Sequence, residues 1–186
     1  GWGRRLRIAL NRVNPKTGRR FIWHMFQARP GGGGSVAGDG YSTIGEWHSA
    51  GGIKFGSIEV AETRSPLVFE THEYRPGSAG NGQFRGGYGG DMRLRIEAEG
   101  TTMANTAGEG VVHGARGMCG GKDGAPHDYT LLAPNALPRK LKTKEVNVPV
   151  PSGSVIHVLS GGGGGWGDPA KRDPAALARD TAEGLA

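Results

Sequence analysis

Five consecutive glycines occupy residues 161–165, and they constrain this chain more than any other feature of its sequence. They belong to a total of 36 glycines in 186 residues, well above the roughly 7% that is usual in proteins. The glycines follow no collagen period, and segments of strand-like composition separate them. We therefore expect ordered loops in which backbones approach each other more closely than side chains would permit.

Most of the remaining sequence has the composition of short β-strands. Residues 92–99 (MRLRIEAE) alternate apolar and charged side chains, as expected when one face of a strand is buried. Other strands are predicted at residues 5–13, 20–27, 58–62, 67–74, 146–150 and 155–159. Residues 14–18 (NPKTG) predict a hairpin turn between the first two strands, and residues 151–153 (PSG) predict another between the last two. Pro149 restricts its strand to the edge of a sheet, because proline cannot donate to the ladder.

Only the C-terminal region has the signals of a helix. Asp173 can accept hydrogen bonds from the first turn, Pro174 suits the first helical position, and Gly184 can end the helix in a left-handed conformation. The sequence therefore predicts a mainly β (α+β) fold over residues 1–186, as a single domain with glycine-rich loops and one short C-terminal helix.

The formal net charge is +6, and eight basic residues lie among the first thirty. Such an excess suits nucleic acid, a membrane surface, an anionic substrate or simply a solvated basic face. We favour the solvated face, because no aromatic stacking motif of an RNA-binding type accompanies the charges. Binding to nucleic acid is therefore not expected.

The location of the protein is predicted from its cysteine content and its hydropathy. Cys119 is the only cysteine, so no intrachain disulfide can form, and a reducing compartment is expected. No apolar run approaches the roughly 20 residues of a membrane helix, and the basic N-terminal stretch leads into no signal-peptide core. These features predict a cytoplasmic protein that does not contact a membrane.

Two interpretations of the glycine run remain open. It can be a tight crossover packed against another chain, or its exposed amides can line an anion site. No Gly-Lys-Ser/Thr follows it, so a Walker-type phosphate loop is not supported.

Arg85 lies in a second glycine-rich segment, residues 77–90 (GSAGNGQFRGGYGG). Its planar guanidinium can bind a carboxylate or phosphate of a ligand, but pairing with an acidic neighbour is the more common use, and we favour that. A single Arg-Gly-Gly triplet between ordered strands is weak evidence for an RNA-binding segment.

Other candidates for chemistry are weak. Glu59 and Glu62 would point to opposite faces of a strand, which makes them a poor acid/base couple and favours ion pairing within the sheet. The six histidines lack the spacing of metal ligands, so we expect hydrogen-bonded structural roles for them. His113 and Cys119 share one loop, but a Cys/His nucleophile pair lacks a third orienting group and is disfavoured.

Taken in order, several segments resemble the C-terminal half of the hydantoinase B/5-oxoprolinase family. The end of the chain, GGGGGWGDPAKRDPAALARDTAEGL, is similar to that family's glycine-rich GDPxxRDP ending, and residues 77–90 are similar to its RGG-containing segment. The other segments that match in order are GGGGSVAGDG, IEVAETRSPLVFE and HGARGMCGG. Three positions depart from the family pattern: Gly77 replaces an Asp, Ala79 replaces a glycine, and His113 stands near the usual Trp.

The resemblance implies one component of an ATP-dependent enzyme that opens cyclic amides. A hydantoinase A-like subunit would bind ATP and Mg²⁺ and phosphorylate the substrate, and the B component would complete the hydrolysis. The divalent metal would be held by the N-terminal half of the B component, so this chain is expected to bind no metal and no cofactor itself, and to be inactive alone. A subunit of an acetone- or acetophenone-type ketone carboxylase is the alternative within the family, and a basic nucleic-acid-binding module is the alternative from another class.

The same resemblance suggests residues that bind the small cyclic amide or form a subunit interface. They are Asp39, Gly40, Ser78, Gly80, Gly82, Arg85, Gly86, Gly87, His113, Gly163, Gly164, Gly165 and Asp168.

Overall fold

A computed structural model describes residues 1–3, 6–13, 18–25, 27–44 and 56–186. In these residues the fold is mainly β, as predicted. The strands are β1 (Leu6–Val13), β2 (Arg20–His24), β3 (Leu67–Tyr74), β4 (Gly90–Ile96), β5 (Thr101–Gly108), β6 (Asp128–Leu132), β7 (Arg139–Lys140), β8 (Lys144–Pro151) and β9 (Val155–Leu159). The helices are α1 (Ile58–Arg64) and α2 (Pro174–Ala182), with a 3₁₀ helix at Pro169–Lys171.

The strands form two antiparallel sheets. One is four-stranded, in the order β2-β1-β5-β8, and the other is five-stranded, in the order β3-β4-β9-β6-β7. Their facing side chains share one apolar core, to which Ile8 and Leu10 contribute from the first sheet and Leu94, Ile156 and Val158 from the second. Each of these five side chains is at most 1% exposed.

The alternation predicted for β4 is confirmed. Met92, Leu94 and Ile96 are at most 1% exposed, whereas Arg93 and Arg95 between them are partly exposed on the other face. Burying a side chain of this size stabilises the fold by roughly 1.5–3 kcal/mol, so one strand contributes several kilocalories to the core.

The pairing of the first two strands is also confirmed. β1 and β2 are antiparallel neighbours, from Ala9 opposite His24 to Val13 opposite Arg20. The predicted turn between them lies mostly outside the described residues. β8 ends the order of the four-stranded sheet, so Pro149 occupies an edge strand, as predicted.

The predicted hairpin between residues 146–150 and 155–159 is wrong, because β8 and β9 belong to different sheets. The turn between them is bound to the neighbouring crossover from β4 to β5: the amide of Ser152 donates to Gly100 O (2.7 Å) and that of Gly153 to Ile96 O (2.8 Å). Both strands bury alternate side chains in the same core. Two strands of facing sheets show that pattern as readily as two paired strands of one sheet, so the pattern could not distinguish the two arrangements.

The strand predicted for residues 58–62 is also wrong, since these residues begin α1. Their β-branched side chains favoured a strand, but local capping decided the conformation. Ser57 Oγ accepts a hydrogen bond from the amide of Val60 (3.3 Å), and Glu59 lies in the positively polarised first turn. Glu62 Oε1 accepts from the amide of Phe69 (2.8 Å) instead of pairing within a sheet.

The C-terminal helix follows its sequence signals. Asp173 Oδ1 accepts a hydrogen bond from the amide of Ala175 (3.0 Å), and Pro174 opens α2. Gly184 lies just beyond the helix with φ of 69°, a left-handed conformation that glycine adopts without strain.

Candidate functional site in the glycine bundle

Four glycine-rich segments lie side by side at one end of the sheets. We call them the glycine bundle, and they comprise residues 31–34, 80–87, 115–125 and 161–167. The last of these follows β9 directly and contacts the other three through backbone hydrogen bonds.

The central segment forms hydrogen bonds with each neighbour at intervals of three residues, as the donor to two of them and as the acceptor from residues 31–34. The amides of Gly162 and Gly165 donate to Ala125 O (3.2 Å) and Lys122 O (2.9 Å), which belong to a single neighbouring segment. The later donor, Gly165, bonds to the earlier acceptor, Lys122, so the two segments run in opposite directions.

A second neighbour repeats the pattern. The amides of Gly163 and Trp166 donate to Gly87 O (2.9 Å) and Phe84 O (2.8 Å). Three residues per turn with no bonds inside the segment is the geometry of a polyproline II helix, not of a β-strand. The central segment therefore has the hydrogen-bond spacing of an extended helix, and backbone hydrogen bonds join it to the other three segments.

Side chains are excluded from the centre of the bundle by close backbone contacts. A Cβ atom on Gly163 would lie closer than 3.0 Å to Gly32 O, and one on Gly162 would lie equally close to Ser78 O. Real Cβ atoms do not approach backbone oxygen that closely, so glycine is required at these positions.

The hydrogen bonds decide between the two interpretations of the glycine run. All five amides of residues 161–165 donate to groups of this chain: four to carbonyl oxygens and that of Gly161 to His127 Nδ1 (2.8 Å). No amide of this run is left to line an anion site. The run is a tight crossover, but the backbone that it packs against belongs to this chain and not to another one.

An ionic cluster of two arginines and two aspartates joins α2 to the glycine bundle. Arg85 Nε donates to Asp180 Oδ1 (3.0 Å), and Arg172 donates to both carboxyl oxygens of Asp39 (2.9 and 3.0 Å). Arg172 Nη2 also donates to Asp180 Oδ2 (2.5 Å), which links the two pairs. The prediction that Arg85 pairs with an acidic neighbour is confirmed, and its guanidinium also lies 4.3 Å from the centre of the Tyr88 ring.

The cluster favours the ionised form of Asp39. Partial burial acts to raise the pKa of Asp39, but hydrogen bonds and positive charge from Arg172, with a hydrogen bond from the Arg85 amide, outweigh it and lower that pKa. The hydrogen bond to Asp39 correspondingly raises the pKa of Arg172. The cluster is thus a balanced set of two positive and two negative charges.

Buried polar side chains connect the glycine bundle to the sheets. Ser160 Oγ donates to Arg29 O (2.6 Å) and accepts from the amide of Gly90 (2.5 Å), and Ser78 Oγ donates to Arg75 O (2.6 Å). Both serines are at most 1% exposed. Sequence analysis missed Ser160 and Arg172 as site residues, because each binds a group distant in the chain. The hydrogen-bonded structural role expected for the histidines is confirmed for His127.

Most of the suggested site residues meet in or beside the glycine bundle. Asp39 and Gly40 adjoin Arg85, since the amide of Gly40 donates to Arg85 O (2.8 Å), and Asp168 caps the 3₁₀ helix through the amide of Ala170 (3.0 Å). The suggested residues with bundle hydrogen bonds or close backbone contacts are Ser78, Gly80, Gly82, Gly86, Gly87, Gly163, Gly164 and Gly165. Their roles in binding a substrate stay predictions.

His113 is separate from these residues. It lines a groove of about 650 Å³ formed by residues 108–114 and 142–144. Both His113 and Cys119 are exposed, and Cys119 has a left-handed φ of 52°.

A groove of about 390 Å³ borders the ionic cluster. Asp39, Phe84, Lys171 and Arg179 line it together with neighbouring residues of α2. Its described lining includes neither histidine nor cysteine, so the groove offers charged and aromatic contacts for binding instead of a nucleophile.

Two further properties can be stated for the described residues only. No three His, Cys, Asp or Glu side chains among them converge closely enough to hold a metal ion. In that part of the chain, every helix is too short or too polar to cross a membrane.

Comparison with known proteins identifies related chains. The sequence profile of the family described as Hydantoinase B/oxoprolinase matches residues 3–169. Caprolactamase subunit beta from Pseudomonas jessenii is 31% identical over 83% of this chain and 27% of its own length. 5-Oxoprolinase 1 from Arabidopsis thaliana is 30% identical over 68% of this chain and 11% of its own length. The chain thus spans less than a third of these two relatives.

Solved structures share the fold over almost the whole chain. Nucleotide-free acetone carboxylase matches with a TM-score of 0.80 at 21% identity, over 97% of this chain and 28% of that one. The ATP-dependent caprolactamase from Pseudomonas jessenii matches with a TM-score of 0.78 at 24% identity, over 96% and 31%. With the sequence profile covering most of the residues, these findings show that the chain belongs to the hydantoinase B/oxoprolinase family.

Proposed function

We propose that this chain is the C-terminal part of the B component of an ATP-dependent cyclic amide hydrolase. The observation that carries the proposal is the family match over residues 3–169, which includes the central segment of the glycine bundle. Among relatives, caprolactamase subunit beta and 5-oxoprolinase favour a lactam or another cyclic amide as the substrate class. The location that we expect is the cytoplasm.

The chemistry divides between two components. An amide resists attack because its nitrogen donates electrons to the carbonyl carbon, and phosphorylation of the oxygen removes that stabilisation. A hydantoinase A-like subunit with ATP and Mg²⁺ would carry out the phosphorylation. Water would then attack the activated carbon, and opening of the C–N bond would leave an acyl phosphate. A second water would hydrolyse the acyl phosphate to a carboxylate and free phosphate. The occupied amides of residues 161–165 do not suit ATP, and the described side chains do not fit a divalent metal, so we place both outside this part of the chain.

This chain would contribute rigidity to the complete enzyme. The glycine bundle fixes its segments by backbone hydrogen bonds, and the ionic cluster holds α2 and the groove at Asp39 against them. A groove on a rigid support can hold a substrate or a partner loop in one position, which is what positioning for catalysis requires.

The test is an assay of the complete assembly with two sets of substrates. We expect ATP-dependent opening of 5-oxoproline, hydantoin or caprolactam, with one ATP consumed for each ring. ATP-dependent fixation of bicarbonate onto acetone or acetophenone, without ring opening, would contradict the proposal and support the carboxylase alternative. The fold shared with acetone carboxylase is the reason for including that assay.

A further inference from the structure

The outer faces of the two sheets differ in charge. The five-stranded sheet exposes paired charges: Arg93 and Arg95 bind Glu70, and His157 Nε2 lies 2.7 Å from Asp91 Oδ1. Lys140 pairs with Asp128 on the same sheet. Such a face suits water, because it is rich in partly exposed charges and most of them are paired.

The outer face of the four-stranded sheet is uncharged at its centre. The strand register fixes its members: they alternate with the core residues of β1, β2, β5 and β8. From the middle of this face outward they are Ala9, Asn11, Met103, Asn105, Ile22 and Pro149. We call this set the neutral face. Ile22 is 65% exposed, and neither described helix has an extensive contact with these strands.

The rim of the neutral face is basic. Arg20 opposes Val13 at one end of the face. At the other end, Ala107 of β5 lies between Arg7 of β1 and Lys144 of β8. A complementary surface would therefore be uncharged in its middle and acidic at its edge. The neutral face carries no aromatic side chain on which bases could stack, so RNA does not fit it.

The size of the neutral face indicates the kind of occupant. Four strands about 4.8 Å apart, over about six residues of 3.4 Å each, present about 400 Å². A stable complex of separate chains needs about 800 Å² from each partner. Two domains of one chain bury about 600–1,500 Å² in total, or about 300–750 Å² on each side, so the neutral face has the size of a contact between domains.

We propose that the neutral face docks another domain of the same hydantoinase B-type subunit, through a surface that is uncharged at its centre and acidic at its rim. The inference rests on the proposed function. It is supported by the matched relatives, in which a chain of this fold occupies only 28% and 31% of a longer polypeptide. A second copy of this chain and RNA are the occupants that the test must distinguish from it.

The experiment measures thiol alkylation in the native assembly, purified through a tag on this chain in a Cys119→Ser background. Ala9→Cys reports on the neutral face, and Thr130→Cys, on the outer face of β6, is the matched control. We expect Ala9→Cys to react roughly tenfold more slowly than Thr130→Cys, because a buried thiol is poorly reactive. Equal rates would overturn the proposal, and so would photo-cross-links from Ala9→Cys to RNA or to a second copy of this chain.

A charge substitution tests the same face independently. Met103→Glu should lower the yield of the assembly severalfold, whereas Thr130→Glu should not, since it adds a charge to a face that already carries charges. Equal yields would count against docking. Ring-opening assays on the same assemblies keep the two proposals apart: an active assembly with a reactive Ala9→Cys thiol overturns only the docking, and a protected but inactive one overturns only the proposed function.

Discussion

The glycine bundle and the core between the sheets are stabilised by different interactions. In the core, apolar side chains such as Leu94 and Ile156 are removed from water, and their burial is the main stabilising term. In the bundle, the backbones of distant segments bond directly to each other, and side chains are excluded. The comparison teaches that a chain with only 35% hydrophobic residues can hold a large part of its structure through backbone hydrogen bonds.

The largest expected effect is an added methyl group in the bundle. Gly163→Ala places a Cβ against Gly32 O, where only backbone movement can relieve the overlap. We expect it to cost more than about 4 kcal/mol or to prevent folding. Denaturant unfolding measures the loss. Gly56→Ala is the control, because a Cβ there meets nothing within 4 Å, and it should remain close to the unmodified protein.

Removing side-chain atoms from the core should cost less than adding that one methyl. Leu94→Ala leaves a cavity at a position with no exposure and should destabilise the fold by about 3 kcal/mol. Leu177→Ala on α2 removes the same atoms from a residue that is 51% exposed and should change the unfolding free energy by less than about 0.5 kcal/mol. A larger loss of unfolding free energy for Leu94→Ala than for Gly163→Ala would contradict the idea that the bundle tolerates added atoms less well than the core tolerates removed ones.

The ionic cluster joins α2 to the glycine bundle, and its loss should destabilise the protein by an intermediate amount. Arg172→Ala leaves Arg85 as the remaining arginine of the cluster beside Asp39 and Asp180. Breaking a fully buried pair costs about 3–5 kcal/mol, and the partial exposure of Asp39 reduces the expectation here to about 2 kcal/mol. Hydrogen exchange should accelerate in α2 while β4 stays protected. Arg179→Ala, at an exposed position of the same helix, should leave both unchanged.

The smallest effect is a dependence of stability on acid pH. The pKa of Asp39 is lower in the folded protein than in the unfolded one, where it lies near about 3.9. Its contribution is therefore fully present above that unfolded value and is lost as the pH falls through the lower folded value. The Asp39→Asn variant should be less stable than the unmodified protein at neutral pH, and the difference should shrink below about pH 4. A difference that stays constant in unfolding experiments down to pH 2 would contradict this assignment.

Local signals predicted the elements whose causes lie close together in the sequence. The alternation in β4 and the capping residues Asp173 and Gly184 of α2 each act within a few residues, so the sequence was sufficient for them. Where two local signals competed, as at Ile58 and Val60, the capping by Ser57 outweighed the β-branched side chains.

The candidate site was predictable in part. The glycine segments, Asp39 and Arg85 were identified from the sequence, and the structure brings them together. Arg172 and Asp180 were not, because an arginine and an aspartate in a C-terminal helical region carry no local sign of partners that lie 133 and 95 residues away. The preference for an ion pair at Arg85 was correct, but the sequence did not tell which carboxylate would form it.

By itself, the sequence determined the mainly β composition, the family and the requirement for glycine at residues 161–165. Only the tertiary structure decided that β8 and β9 lie in different sheets and that the amides of the glycine run are satisfied by three separate parts of the chain. The physical reason is that alternation and glycine content restrict the conformation of a segment, whereas a hydrogen bond or an ion pair between distant segments depends on which of many equivalent partners the folded chain brings within reach.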